Sequence, residues 1–160
     1  MSPFLAKSWK MRLLIRSIVD TPFEQVQKNF DKELFEALLP PPFVARLVRY
    51  DGSVPDDEVH MQFHLPWRSL WISRITHSEQ TATTFHFIDE GIQLPFGLRK
   101  WKHQHGVIKI DAHKTQIIDD IHFSTGNKIL DLLTLPLMFL AFYPRKWQYK
   151  SFFKKLKIER

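Results

Sequence analysis

Apolar positions change their period twice along this chain. Residues 11–19, Met-Arg-Leu-Leu-Ile-Arg-Ser-Ile-Val, are dense in β-branched and long apolar side chains and stop at Asp20, as a strand does. From there the period lengthens: Phe23, Val26, Phe30, Leu34 and Leu38 recur every three or four residues and mark one face of a helix. Thr21-Pro22-Phe23-Glu24 predicts its start as a capping box, with Thr21 as cap and Pro22 in the first helical position. Charged residues near Asp31 divide the segment into two short helices, and Pro40-Pro41-Pro42 ends it.

Alternation then takes over. After a strand at 43–50 and a turn at Asp51-Gly52-Ser53, Val59, Met61, Phe63 and Leu65 alternate with His60, Gln62 and His64. Further strands are predicted at 69–77, 81–88, 101–110 and 115–123, the last two joined by the turn Asp111-Ala112-His113-Lys114. Between 88 and 101 lies an apolar loop carrying Ile92, Leu94, Phe96 and Leu98 among Gly91, Pro95 and Gly97, which suits a mobile lid or a packed corner. Helical composition returns after Gly126, with a short piece at 127–133, a longer helix starting at Pro136, and a kink at Pro144. The order predicts an α+β domain in which a curved antiparallel sheet of about seven strands wraps a long C-terminal helix, with a cavity between them.

Composition narrows the class. The 160 residues fit one domain, 1–160, and 14% aromatic content with 14 Phe and 5 Trp supplies bulky surface to bury. With no cysteine there is neither a disulfide framework nor a thiolate zinc site. Residues 1–10 do not read as a signal peptide, and the most apolar run, 129–143, contains Asp131 and Pro136 and falls short of the ~20 residues of a membrane span. The expected location is cytoplasmic. Of 23 basic and 17 acidic side chains, seven basic and one acidic fall at 145–160, so the net charge of +6 belongs to a basic helical tail and the rest is balanced. That distribution argues against a nucleic-acid partner, which favours a basic groove on the folded body.

Three places in the sequence resemble a known family. They are the strand and helix of 15–39 with its Thr21-Pro22-Phe23-Glu24 start; Phe87, Asp89, Pro95-Phe96, Trp101, His103 and His105 followed by Thr115, Ile117, Asp119, Ile121 and Phe123; and Phe142 with Arg145. Together they resemble the SRPBCC superfamily, the START-like helix-grip proteins, and within it the bacterial "ligand-binding SRPBCC domain" branch. Leu94 replaces the glycine usual before the Pro-Phe pair, and Pro144 interrupts the closing helix. The resemblance implies the helix-grip fold and a small hydrophobic or amphipathic ligand, lipid-, polyketide- or isoprenoid-like. It does not fix a function, because the superfamily holds carriers, sensors, hydrolases and cyclases.

The candidate chemistry lies on the strands at 101–110 and 115–123. Trp101, His103 and His105 share a face. If the strands pair so that Asp119 joins that face, an acid sits among imidazoles and can serve as general acid or base in a cyclase, isomerase or hydratase reaction. A one-residue slip brings Asp120 and His122 there instead. The same histidines also read as hydrogen-bonded sheet residues, or as contacts to a ligand's polar end. Trp71, Phe85, Phe87, Phe96, Trp101, Phe123 and Met138 are the candidate apolar wall, equally readable as core. No third metal ligand can be named beside either His103 and His105 or His60 and His64, so neither a metal nor a cofactor is expected. Lys150, Lys154 and Lys155 beside Trp147, Phe152 and Phe153 suit a solvated helix end or contact with an anionic membrane, which would make the tail a membrane-surface adaptor. Oligomeric state is not legible.

Overall fold

The computed structural model describes residues 11–158. The expectation about residues 1–10 lies outside the described residues. In chain order the elements are β1 (Met11–Val19), α1 (Phe23–Lys28), α2 (Lys32–Leu38), β2 (Ala45–Tyr50), β3 (Glu58–Phe63), β4 (Ser69–Gln80), β5 (Thr84–Gln93), β6 (Lys100–Lys109), β7 (Thr115–Ser124), α3 (Lys128–Phe142) and α4 (Arg145–Ile158). The strands form one antiparallel sheet ordered β1-β7-β6-β5-β4-β3-β2. The first strand thus pairs with the last, and α1 and α2 carry the chain from one edge to the other. This is the helix-grip arrangement that the sequence predicts.

The helices differ from the predicted ones in detail. Thr21 makes no capping box: α1 starts at Phe23 after Pro22 without a side-chain cap. Thr21 is buried, its carbonyl accepts the Thr115 hydroxyl at 2.7 Å, and Glu24 turns outward to Lys109 at 2.8 Å. Tertiary partners have claimed both ends of the motif. Asp31 caps α2, its carboxylate accepting the N–H groups of Glu33 and Leu34, and so separates the two short helices. Pro136 does not start a helix but lies inside α3, which Asn127 caps nine residues earlier. The break falls at Tyr143-Pro144, between two helices rather than within one. Strand β5 runs on to Gln93, five residues beyond its predicted end, and Leu65, expected inside, is exposed past the end of β3.

Two apolar clusters fill the helix-covered face. Val19, Phe23, Val26, Leu34, Leu38, Val107 and Ile117 pack with Tyr149 and Phe153 of α4. Leu13, Ile15, Trp71, Leu98, Trp101, Ile121 and Phe123 form the second, partly covered by Leu135, Met138 and Phe142 of α3. The loop before β6 is a packed corner, with Leu98 buried in that second cluster and Phe96 edge-on to Phe63 and Trp67. Ile117→Ala should cost ~2–5 kcal/mol in a denaturant titration, because the cavity cannot collapse in a fully buried cluster. Ile18→Ala, one strand away on the exposed face, should stay within ~0.5 kcal/mol.

Candidate functional site

Where the two clusters meet, every strand of the sheet's first half turns polar. On β1, Ser17 separates Ile15 from Val19; on β7, Asp119 separates Ile117 from Ile121; on β6, His103 and His105 separate Trp101 from Val107. Asp89 continues the row on β5. The register pairs His105 with Asp119, His103 with Ile121 and Trp101 with Phe123, which selects Asp119 as the inward acid. Asp120 and His122 point the other way, and Asp120 there takes two N–H bonds from Arg12 at 2.8 Å.

Most of the polar row is joined by buried hydrogen bonds. Asp119 Oδ1 accepts His103 Nε2–H at 2.9 Å, Arg145 Nη1–H at 2.8 Å and, more weakly, the Tyr149 hydroxyl at 3.4 Å. Asp89 accepts His105 Nε2–H on one oxygen and Trp101 Nε1–H on the other, both at 2.9 Å. An ionised carboxylate only accepts, so these contacts place the proton of each imidazole on Nε2. The imidazoles lie ring to ring with centroids 3.7 Å apart. Phe87 stacks on His105 at 4.3 Å, Phe30 meets its edge, and Phe142 caps His103 and receives the Arg145 guanidinium on its face at 4.6 Å. Asp119, His103, His105, Asp89 and Arg145 are all buried. Ser17 Oγ, His105 Nδ1 and Asp119 Oδ2 are buried without a hydrogen-bond partner in the protein.

Burial and charge act against each other here. Burial pushes the Asp119 carboxyl up, but the Arg145 charge and the His103 hydrogen bond outweigh it and hold the group below the usual carboxylate range. Asp89 is likewise held low, with the hydrogen bond from His105 and the nearby imidazoles overcoming burial. For His103, burial dominates and the neighbouring His105 adds to it, so its pKa falls from 6.5 to about 4 despite the pull of Asp119. His103 is therefore neutral at pH 7. Tyr149 is pushed up by burial and the Asp119 charge and keeps its proton.

The sequence expectations sort clearly. His103, His105 and Asp119 come together, as the general acid–base reading requires, but Phe30, Phe87, Phe142 and Tyr149 seal them from any open space. Trp71, Phe87, Trp101 and Phe123 are core, while Phe85, Phe96 and Met138 are half-buried. Lys150, Lys154 and Lys155 are exposed on α4. The third candidate ligand that the sequence could not name is Asp89, whose carboxylate lies within 4.8 Å of ligand atoms on His103 and His105; His77, Glu79 and His86 form a second such group on the β4–β5 hairpin. In the buried group both Asp89 oxygens already accept N–H donors. Arg145 and Tyr149 were the site residues that spacing alone could not place, since they reach Asp119 from 26 and 30 residues away. Asp89 carried a signal, the alternation with Phe87.

Two clefts, of about 320 and 310 Å³, lie on the flanks of α4, the first lined by Thr21, Gln25, Asn29, His113 and Phe153 and the second by Glu33, Gln148, Phe152 and Lys155. Neither lies beneath α3.

No protein-family model matches the chain, and no curated protein matches it in sequence. Solved structures do. An aromatase/cyclase, ZhuI from Streptomyces sp. R1128, superposes with a TM-score of 0.64 at 13% identity over 88% of this chain and 92% of that one. Norcoclaurine synthase from Thalictrum flavum, solved with dopamine and hydroxybenzaldehyde, gives 0.57 at 15% identity over 82% of each chain. A START superfamily protein from Mycobacterium smegmatis gives 0.53 at 12% over 86% of this chain and 98% of that one.

Acid should destabilise the protein through this network. Unfolding returns His103 to a pKa near 6.5, so the stability tied to its depressed folded value is complete above that pH and is lost as pH falls toward about 4. Asp89 and Asp119, depressed below 3.8, lose their contribution at still lower pH. Urea titrations at several pH values should show this fall beginning near 6.5, and in His103→Gln the part above pH 4 should flatten. Arg145→Met should cost ~3–5 kcal/mol by leaving Asp119 charged and uncompensated, whereas adding Asp119→Asn should recover part of that loss.

Proposed function

We propose that this chain, which has the helix-grip fold of the START-like SRPBCC superfamily, binds a small hydrophobic or amphipathic molecule beneath α3. One observation carries the reading: the second apolar cluster has a fully buried floor and a loosely closed roof. Trp71 and Trp101, edge to face at 4.7 Å, form the floor with Phe123, while Leu135 and Met138 of α3 above them, and Met61, Phe63 and Leu94 at the rim of the sheet, are only partly buried. These flexible or partly exposed side chains can rearrange around a guest, and methionines at both sides of the opening suit a ligand of variable shape.

The attachment of α3 supports the same reading. Its beginning is held by Asp131, whose carboxylate accepts Ser124 Oγ–H, Thr125 N–H and Thr125 Oγ1–H. Its end is held by Arg145 on Asp119. Between these polar anchors it packs mainly on β1 through half-buried side chains, so lifting its middle breaks few buried contacts. The polar row lies under the helix junction rather than under the roof. A ligand beneath α3 therefore meets Trp71, Trp101, Phe96 and Met138 before it meets an imidazole. This favours binding over acid–base catalysis by His103 or His105.

Organic extraction of the purified protein, followed by mass spectrometry, should yield a co-purifying apolar compound. The purified protein should also bind 8-anilinonaphthalene-1-sulfonate. Met138→Trp, which puts a bulkier side chain where a guest would lodge, should weaken that binding about tenfold, equivalent to ~1.4 kcal/mol, while the outer-face substitution Leu133→Lys should leave it within twofold. Equal dye binding by Met138→Trp and the unmodified protein would place the dye elsewhere and remove the support for this site.

A further inference from the structure

We infer that the outer face of α3, continued onto α4, docks on an anionic lipid bilayer surface. This face is opposite the one that roofs the proposed ligand site, and the inference does not depend on that ligand. A helix covering a core carries an apolar stripe and a polar back. On α3 there is no polar back. Leu135, Met138 and Phe142 face the sheet, yet Ile129, Leu132, Leu133, Leu137 and Leu140 are each between 64% and 70% exposed on the other sides. Its only acid, Asp131, is turned inward and buried. The result is a continuous apolar surface of the kind that marks an interaction site.

What lies beside that surface identifies the partner. Phe139, Tyr143 and Trp147, spaced by four, form a ladder across the break between the helices: the first pair stack at 4.6 Å and the second meet edge-on at 5.2 Å. Aromatic residues with a polar edge settle at the boundary between lipid tails and headgroups. The Lys146 ammonium lies 5.1 Å over the Tyr143 ring, and Lys150 and Lys154 follow it at the same spacing of four along α4. No acidic residue occurs on α4. An apolar helix, an aromatic boundary and a lysine row therefore follow one another in the order in which a bilayer presents tails, interface and anionic headgroups.

Length sets the geometry of contact. The 15 residues of α3 span about 22 Å at the rise of an α-helix, less than the ~30 Å hydrocarbon thickness of a bilayer. No helix among the described residues is long and apolar enough to cross a membrane. The helix enters one leaflet and does not span the bilayer. A second copy of the chain fits less well, because pairing along α3 covers the leucines but offers the lysine row no acidic counterpart, α4 carrying none and Asp131 of α3 being buried. Nucleic acid matches the lysines but leaves the leucines of α3 in water.

Co-sedimentation of the full chain with vesicles tests this directly. The protein should pellet with vesicles of phosphatidylcholine and phosphatidylglycerol, pellet poorly with phosphatidylcholine alone, and be released by added salt. Leu133→Asp with Leu137→Asp, both at exposed positions, should lower partitioning at least tenfold while leaving the circular dichroism spectrum and unfolding midpoint unchanged. Lys150→Gln and Lys154→Gln should each lower it roughly fivefold on anionic vesicles only. Partitioning that is indifferent to the leucine substitutions overturns the inference. So does a dimer in light scattering that those substitutions dissociate while vesicles leave it intact, since the occupant would then be a second copy.

Discussion

The buried bond between Arg145 and Asp119 is the interaction on which the arrangement of this protein depends. Both side chains are removed from water, and the desolvation cost of such a pair offsets most or all of its attraction. Its main effect is therefore on placement rather than on net stability. Asp119 already draws N–H and O–H donors from β6 and α4 onto a single oxygen, so the guanidinium has one position that completes the set. That position fixes where the C-terminal helical segment crosses the sheet. A crossing that moves Arg145 away leaves the Asp119 carboxylate buried without its counter-charge.

The same bond explains why the C-terminal segment is two helices with different characters. Pro144 has no N–H and cannot continue the ladder, which makes the residue before Arg145 a natural break. With the break placed over the polar row, α4 lies on one apolar cluster and buries Tyr149 and Phe153 in it, while α3 lies on the other and buries none of its apolar side chains fully. The grip is tight on one side of the polar row and loose on the other. Ser17, Asp119, His103, His105 and Asp89 thus divide the sheet into a half whose helix buries its apolar side chains and a half whose helix leaves them partly exposed.

Much of this was legible in the sequence, and what was not has identifiable causes. Period-two alternation located the strands because each has one face in the core, and the inward face of β6 could be read from Trp101, His103, His105 and Val107. The register that brings Asp119 to that face could not, since Asp119 and Asp120 are adjacent and only pairing with both β1 and β6 decides between them. Thr21 and Glu24 have the spacing of a cap, but partners on β7 and β6, each more than eighty residues away, outcompete that local motif. Pro136 marks a helix start by local rules, yet Asn127 caps the segment earlier and the anchors at Asp131 and Arg145 hold the helix on both sides of it. The apolar run at 129–143 was readable as a sequence. Its exposure was not, because hydrophobicity all round a helix ordinarily means burial.

The ionisation state of the polar row bears on what the fold can do. Acid–base catalysis needs a group that exchanges a proton with a substrate near neutral pH, within hydrogen-bond reach of it. His103 is neutral, donates its proton to a carboxylate held well below neutrality, and is covered by Phe142. For it to reach a substrate, Phe142 would have to leave, and Phe142 lies between Met138 of the roof and Arg145 of the ion pair. Exposing the imidazole therefore means disturbing the contact that positions the whole C-terminal segment, whereas admitting a ligand beneath Leu135 and Met138 leaves that contact in place. The geometry separates the two events along one helix. On the binding reading proposed for this chain, opening of the roof proceeds up to Phe142 and stops there, with the polar residues left in place.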